Sequence, residues 1–300
     1  MSDKFQDIVQ SFQLDKIGMR GRFVRLSDSL GQIISQHNYP DWVAFKLIEA
    51  LLLNVAIGSA IKLRGMMSLQ IRSEGAIKLI ATDFSAPEKP GGAPTIRGYV
   101  RSDETDHANK MPEFVKSIFG IIIDQKTGAQ PYQGITPIRE GLVEAAVEYF
   151  DQSEQIPTRF ALHIHKDELA GVWRGSCMMV QRVAGEGGND AVTMSADDLS
   201  RVDALLGTLT ADEMLSPEVT SEELIYRLFH EDEPTANPVQ PIAFSCPCSE
   251  EKVRQSLSIY SQKDLKHMYT EDGMVTADCQ FCGAHYVMEP STLGFEAEQK

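Results

Sequence analysis

Basic residues are scarce in this chain. Its 300 residues include 28 Lys and Arg but 43 Asp and Glu, which gives a formal net charge of −15 at pH 7. Proteins that bind nucleic acid neutralise phosphates with Lys and Arg, and anionic membrane surfaces attract the same residues. No compact basic run with interleaved aromatic residues offsets the acidic excess. We therefore expect neither a nucleic acid nor a membrane among the partners.

Long uninterrupted apolar runs are also missing. Residues 1–15 carry early acidic residues and no continuous apolar segment, so they do not resemble a secretory signal. The longest apolar stretch runs from Trp42 to Leu63, but polar side chains that sit poorly in hydrocarbon interrupt it. They are Lys46, Glu49, Asn54 and Lys62. We predict an amphipathic helix introduced by Pro40 and Asp41, and no membrane span.

Cysteine is rare and unevenly placed. There are five cysteines, an odd number, and four of them lie between positions 246 and 282. Secreted modules that are built on disulfides spread even numbers of cysteines through short chains. A clustered set in a chain without a secretory signal indicates a reducing compartment and a bound metal. We therefore expect a cytoplasmic protein.

The sequence also lacks a nucleotide-binding loop. Neither of its glycine clusters, Pro90–Pro94 and Ala184–Asp190, is followed by the Lys-Ser/Thr pair of a Walker motif. Cys177 lies beside Met178 and Met179, where a buried apolar cysteine is the simplest interpretation, and no catalytic base is identifiable for it. We expect a protein that is not an enzyme and does not use ATP.

Strands that form hairpins dominate the first part of the chain. Ser73–Ala76 is flanked by Leu69–Arg72 and Ile77–Ile80, and Ile118–Asp124 precedes a second hairpin partner at Tyr132–Ile138. Further strands are predicted at Phe23–Leu26, Ile96–Arg101, Phe160–His165 and Gly171–Val183, and helices from Asp41 and near Glu140–Gln152. Hairpins outnumber βαβ units, so we predict an α+β fold with antiparallel sheets rather than a doubly wound fold.

The pattern becomes helical after the glycine-rich break Ala184–Asp190. Ser195–Thr210 and Ser221–Glu231 carry apolar residues at helical spacing and acidic residues in their first turns. We predict three parts: an N-terminal α+β core at residues 1–185, a helical linker at 186–240 and a C-terminal cysteine domain at 241–300. The linker helices are acidic and amphipathic, and such helices are marginal without tertiary support.

The four clustered cysteines form two clips, Cys246-Pro247-Cys248 and Cys279-Gln280-Phe281-Cys282. Two such clips separated by about thirty residues fit a tetrahedral shell of four thiolates around one zinc ion per chain. Gly283 is able to adopt a left-handed conformation after the second clip. Around the clips, helices are predicted at Ser249–Tyr260 and Ser261–Tyr269 and a strand at Ala284–Met288. A module this small depends on its metal for much of its stability.

The spacing of the clips leaves the role of the zinc site open. A structural zinc ribbon is the commonest use of four cysteines. A redox switch is the alternative, because zinc-bound sulfurs are thiolates, and thiolates are the form that peroxide and hypochlorite attack. A thiol oxidoreductase is disfavoured, since the second clip is followed by Gly283 and a short strand instead of a helix.

Three histidines are weaker candidate ligands. His163 and His165 lie on one face of a predicted strand, but no third ligand is identifiable near them, so two ordinary strand histidines are expected. His285 follows the second clip and is expected to pack beside the site, because four thiolates already complete the shell.

Several motifs resemble those of the bacterial redox-regulated holdase chaperones, the 33 kDa chaperonin family. The most specific are Phe244–Ser249 and Asp278–Tyr286, in which a CxC clip precedes a CxxC clip, together with Tyr226–Glu231 upstream. The resemblance covers nearly the whole chain. It extends through Arg20–Leu26, Arg97–Val100, Tyr132–Gly134 and Ser153–Pro157.

This resemblance implies an ATP-independent chaperone that is inactive while it is reduced and zinc-bound. Oxidation would then pair Cys246 with Cys248 and Cys279 with Cys282, release the zinc and unfold the C-terminal domain and the linker. The partners implied are unfolding client proteins and, in the oxidised state, a second copy of the chain. The two copies would form a dimer through their N-terminal domains.

Overall fold

The computed structural model describes residues 5–102, 115–183 and 195–295. The chain divides into a first unit that ends at Phe244 and a second unit that begins at Ser245. The three-part division at residues 185 and 240 remains a prediction. Residues 184–190, the glycine-rich segment on which its first boundary rests, lie outside the described residues.

Two six-stranded sheets build the first unit. Its strands are β1 (Ile8–Leu14), β2 (Met19–Leu26), β3 (Met66–Arg72), β4 (Ile77–Ser85), β5 (Thr95–Ser102), β6 (Ser117–Asp124), β7 (Tyr132–Ile138), β8 (Thr158–Asp167), β9 (Val172–Arg182), β10 (Thr235–Ala236), β11 (Gln240–Pro241) and β12 (Ala243–Phe244). Sheet A has the order β10-β1-β2-β9-β8, with β11 also paired to β1, and sheet B has the order β12-β5-β4-β3-β6-β7. All of these pairings are antiparallel except β12 with β5.

Six helices of the first unit can be described. They are α1 (Asp28–Ile34), α2 (Asp41–Ala60), α3 (Leu142–Glu148), α4 (Ala196–Leu206), α5 (Ala211–Met214) and α6 (Ser221–Phe229). Helix α3 continues as a π-helix over Tyr149–Glu154. The predicted hairpins are confirmed as β3–β4 and β6–β7, and the predicted α+β class with antiparallel sheets is confirmed with them.

Helix α2 is the core helix of this unit and contacts strands of both sheets. In the part of the chain that the structure describes, it alone is long and apolar enough to cross a membrane, yet 89% of its most apolar window is buried inside the protein. The predicted amphipathic character is wrong, because sixteen of its twenty residues are buried. Three of its buried polar side chains have partners: Lys46 pairs with Glu49 at 2.7 Å, and the Asn54 amide donates to Thr82 at 2.8 Å.

Helices α4, α5 and α6 cover one face of sheet A. Each begins with a capping box, in which a Ser or Thr hydroxyl accepts from the backbone three residues later and an acidic side chain accepts in return. Sheet A and these helices both contribute residues to the apolar cluster between them. It includes Phe12, Met19, Phe23, Met178 and Val180 from the sheet and Val202, Leu206, Met214, Leu224 and Phe229 from the helices. Packing against the sheet therefore supplies the support that these short acidic helices need.

The second unit is small. Its elements are α7 (Glu250–Leu257), α8 (Gln262–Leu265), β13 (Val275–Asp278) and β14 (His285–Met288), with β13 and β14 paired antiparallel. The fully buried apolar side chains of its described part are Leu265, Val275, Met288 and Leu293. Four such side chains make a core too small to stabilise most independent domains.

Candidate metal centre

The first clip lies between a strand and a helix. Cys246 and Cys248 follow β12 and precede α7, whose first turn is capped by the Ser249 hydroxyl accepting from the Lys252 backbone at 3.3 Å. Pro247 between the two cysteines restricts the backbone of the clip. The sequence thereby fixes both sulfurs within one short turn that leads into a helix.

The second clip forms the turn between β13 and β14. The Gly283 backbone donates to the Cys279 carbonyl at 2.8 Å, and the Cys279 backbone donates to the Ala284 carbonyl at 2.9 Å. Gly283 has a φ of 64°, a left-handed conformation that glycine adopts without a steric penalty. The glycine predicted to end this clip therefore closes the turn that aims Cys279 and Cys282 at the same point.

The four sulfur atoms converge. All lie within 4.8 Å of one another, with Cys246 and Cys279 separated by 3.7 Å and Cys248 and Cys282 by 3.3 Å between their Sγ atoms. A tetrahedral ion with metal–sulfur bonds of about 2.3 Å needs sulfur–sulfur distances of roughly 3.8 Å. The cysteines are therefore positioned to hold one metal ion, and an all-sulfur donor set suits a soft or borderline ion that accepts tetrahedral geometry.

Tyr286 adds a hydrogen bond to the cluster. Its hydroxyl donates to Cys248 Sγ at 3.1 Å, and this contact with Cys248 raises the pKa of Tyr286 to about 12, so the hydroxyl keeps its proton at neutral pH. Burial alone raises the pKa of Cys248, but hydrogen bonds from Tyr286 and the other three thiols outweigh it and lower that pKa to about 7. One thiol of the cluster thus ionises readily before any metal binds.

Cys282 shows the opposite shift within the same cluster. Burial, followed by the contacts with the other thiols, raises its pKa to about 12 in the metal-free arrangement. A metal ion that binds here must therefore displace the proton of Cys282, and metal binding releases protons to the solvent.

His285 follows the second clip at the start of β14 and contacts a carboxylate. Its Nδ1 is 2.7 Å from the carboxylate of Asp278, and it is not part of the group of converging ligand atoms. This carboxylate–imidazole pair bridges the ends of β13 and β14, since Asp278 and His285 are directly opposite in the register. The contact supports the turn that carries the second clip.

The other candidate residues lie in the first unit. His163 Nε2 is 3.0 Å from the Leu209 carbonyl, so this histidine contacts the segment between α4 and α5; among the described residues, neither it nor His165 belongs to a group of ligand atoms that could hold a metal ion. Cys177 is fully buried on β9, and burial raises the pKa of its thiol. The prediction of a buried apolar cysteine is confirmed.

The contacts of two residues, Tyr286 at the cysteine cluster and Arg25 in the first unit, were not predicted from the sequence. Tyr286 stands in the alternating strand after the second clip, so its proximity to a cysteine was detectable, but the direction of its hydroxyl was not. Arg25 looked like an ordinary polar residue of an alternating strand, yet it is buried and donates to carbonyls in residues 213–219. No local sequence pattern predicts a contact between residues so far apart in the chain.

Comparison with known proteins finds a family model and relatives that match nearly the whole chain. A family model described as Hsp33 protein matches residues 7–289 of the chain. A 33 kDa chaperonin of Caulobacter vibrioides (strain NA1000 / CB15N) is 31% identical over 296 residues, which cover 95% of each chain. A 33 kDa chaperonin of Hahella chejuensis (strain KCTC 2396) is 30% identical over 283 residues, which cover 93% of each chain.

The fold is also similar to a crystal structure. The 33 kDa chaperonin of Thermotoga maritima superposes with a TM-score of 0.77 and 19% identity, over 95% of this chain and 96% of that one. At this level of identity the match supports the fold alone. It adds agreement in fold to the agreement in sequence with the family model.

Proposed function

The chain belongs to the Hsp33 protein family, and we propose that it is a redox-regulated chaperone that binds unfolding proteins without ATP. The observation that carries the proposal is the convergence of four cysteine sulfurs within 4.8 Å in a unit with four fully buried apolar side chains. A site that both contains oxidisable thiols and holds a weak unit together couples redox chemistry to folding.

We propose that the metal is one zinc ion per chain, held by Cys246, Cys248, Cys279 and Cys282. Zinc accepts four thiolates in tetrahedral geometry, and when bound it keeps the sulfurs deprotonated at neutral pH. Iron would fit a similar donor set, so metal analysis of the protein purified without added metal tests this step directly.

Oxidation is proposed to pair the near neighbours of each clip. Cys246 bonds to Cys248 and Cys279 bonds to Cys282; each new S–S bond takes two electrons from two thiolates, and these electrons reduce peroxide or hypochlorite. The ligand set is thereby lost and the metal leaves. The second unit then loses the interaction that offsets its small core, and residues 245–295 unfold.

We propose that the helical linker unfolds after the second unit has unfolded. Helices α4 to α6 are short and begin with acidic turns, and they depend on packing against sheet A. Their loss exposes the apolar face formed by Phe12, Met19, Phe23, Met178 and Val180, which binds the apolar segments of unfolding clients. The two methionines give this surface an adaptable character that suits varied partners.

Other parts of the proposal follow from the sequence and the family. We propose a cytoplasmic protein without catalytic activity, which is a dimer when oxidised and does not bind nucleic acid or membranes. The net charge of −15 is the argument against nucleic acid.

The central experiment follows zinc release and suppression of aggregation in one sample. Reduced protein is treated with hypochlorite or peroxide, zinc is measured with a chromophoric chelator, and aliquots are added to a thermally unfolding enzyme. We expect protection to rise as zinc leaves and to reverse when thiols are reduced again and zinc is supplied. A Cys279→Ser variant serves as comparison, because it cannot form the second disulfide.

A structural zinc ribbon without a switch is the competing function. It predicts that zinc stays bound under oxidant, or that the zinc-free oxidised protein gives no protection while the reduced protein remains folded. Either result, obtained with a client that a known chaperone protects under the same conditions, would refute the redox switch.

A further inference from the structure

Residues 235–244, which we name the edge strap, pair with an edge strand of each sheet. β10 and β11 pair with β1 of sheet A, and β12 pairs with β5 of sheet B. Backbone bonds complete the contact: Asn237 donates to the Ser11 carbonyl at 2.8 Å, and Ile242 donates to the Asp7 carbonyl at 3.0 Å. One short segment thus covers strand edges that would otherwise be open to other chains.

The edge strap is held weakly. Its strands are two residues each, and only Ile242 is buried, at 5% exposure, while Phe244 is half-buried. Pro238 and Pro241 have no backbone N–H and cannot donate to a ladder. A segment with few buried apolar side chains and largely exposed residues opens at a lower free energy than the core strands do.

The strands beneath the strap are better formed than the strap itself. β1 is seven residues long, and the carbonyls of Asp7 and Ser11 point to the strap. Because every second residue of a strand bonds to the same side, the backbone groups of Val9 and Gln13 also point to the strap. Immediately before β5, the Pro94 carbonyl accepts from Ala243 at 3.2 Å. An extended chain with every N–H present could make more hydrogen bonds to these edges than the strap does.

The strap is joined directly to the metal centre. Phe244 ends β12, and Cys246 is two residues further along the chain. The zinc-bound clip therefore restrains the C-terminal end of the strap, whereas an unfolded clip leaves this end free and raises the entropy gained on release.

We propose that the strap-covered edges of β1 and β5 are binding sites for extended segments of unfolding client chains, which add to the sheets as strands once oxidation frees the strap. This inference rests on the proposed redox function and adds a second mode of capture, through backbone groups, to the apolar face beneath the linker helices. The strap itself argues for this occupant, because it is an extended chain seated on the same edges. Backbone pairing is independent of side-chain sequence, which suits a protein that binds many clients.

Hydrogen exchange of individual amides tests the proposal in three states of the full-length protein: reduced with zinc, oxidised, and oxidised with a thermally unfolding enzyme. We expect the amides of Val9, Gln13 and Ile96, whose register partners in the strap are Gln240, Thr235 and Phe244, to exchange at least about tenfold faster after oxidation and to regain protection with client. Val100 is an internal reference, because its N–H donates to the Tyr39 hydroxyl at 2.8 Å rather than to the strap.

The outcomes separate this proposal from the general function. Edges that stay protected after oxidation, or that stay unprotected while the client is held, would overturn the edge-binding proposal and leave the redox switch intact. Failure to hold any client would instead overturn the proposed function. Protection that returns without client and increases with protein concentration would show strand exchange between copies, which also overturns the client assignment.

A pinned strap gives an independent test. Thr95 and Ala243 are directly paired, so a Thr95→Cys, Ala243→Cys double variant allows a disulfide that holds β12 on β5 while the helices remain free to open. With this bridge verified by mass spectrometry, we expect unchanged zinc release and several-fold weaker protection than in the Thr95→Cys single variant. Equal protection in the two variants would refute a role for the β5 edge.

Discussion

The guanidinium of Arg25 donates a 3.0 Å hydrogen bond to the backbone carbonyl of Met214, which is 189 residues away in the chain. It also donates to the Val219 carbonyl at 2.7 Å, and it lies over the rings of Phe5 and Phe23. Within the described residues no carboxylate forms an ion pair with it. Burial lowers its pKa to about 10, so Arg25 remains charged at neutral pH. A buried cation of sheet A thus holds α5 and the segment between α5 and α6 through their backbone carbonyls.

Replacing Arg25 with Met should therefore loosen the linker without touching the cysteines. The substitution leaves the carbonyls of Met214 and Val219 without a donor, a change of roughly 2–3 kcal/mol for hydrogen bonds to a charged group. We expect faster hydrogen exchange and faster proteolysis of residues 196–229 in the reduced, zinc-bound protein, and partial protection of clients before oxidation.

Arg72→Met is the matched control for Arg25→Met, because Arg72 is exposed on β3 and, among the described contacts, its side chain bonds only to Gln70. This control should leave linker exchange unchanged. Equal linker protection in the Arg25 variant and the wild type would show that the helices are held by apolar packing alone.

Removal of the metal from the reduced protein should unfold the second unit selectively. Its core consists of Leu265, Val275, Met288 and Leu293, and structural zinc contributes on the order of 10 kcal/mol to such small modules. A strong chelator at neutral pH should abolish amide protection across residues 245–295 while α2 and the central strands stay protected. Added zinc should restore the protection, and a second unit that keeps its protection without metal would contradict this role.

Much of the fold could be predicted from the sequence pattern, because interactions between residues that are close in the chain determine most of the hairpins and helices. Alternation and turn residues gave the hairpins β3–β4 and β6–β7. The helix at Asp41 was predicted too, but its amphipathic character was wrong. A polar residue in a helix normally faces water, whereas Lys46 and Glu49 neutralise each other inside the core.

Elements that depend on distant contacts escaped prediction. Helix α1 has no local capping side chain; its first turn is held by the Asp7 carboxylate, which accepts from Ser27 at 2.5 Å and from Ser29 at 2.6 Å. The pairing of the edge strap with β1 and β5 exists only in the folded chain, and no local pattern of the sequence indicates it. The clips of the metal centre, in contrast, are local motifs whose spacing already determines their geometry.

Tyr286→Phe should weaken metal binding at neutral pH. The hydroxyl donates to Cys248 Sγ at 3.1 Å and helps to hold the pKa of that thiol near 7, so its loss raises this pKa and makes protons compete better with the metal. Outer-shell partners of this kind are typically worth about tenfold or more in metal affinity. Competition with a chromophoric zinc chelator at pH 7 and pH 9 should show a larger deficit at pH 7.

Tyr260→Phe is the control for this measurement. The Tyr260 ring packs against the same small core of the second unit, but its hydroxyl has no bond to a cysteine sulfur among the described contacts. A similar loss of affinity in both variants would attribute the effect to packing and not to the hydrogen bond.

Cys177 should take no part in redox regulation, although it is the fifth thiol of the chain. It is fully buried between Val24 and Leu162, its neighbours in the register of sheet A, and burial raises the pKa of its thiol, so the reactive thiolate is scarce at neutral pH. Cys177→Ala should bind one zinc per chain and form the same disulfides at the same rate. Urea denaturation should show a loss of about 1 kcal/mol in the free energy of unfolding from the small cavity, and Cys177→Ser should lose more, because its hydroxyl is buried in apolar surroundings. A shifted oxidation rate in the Ala variant, with zinc binding intact, would instead assign this buried thiol a role in the switch.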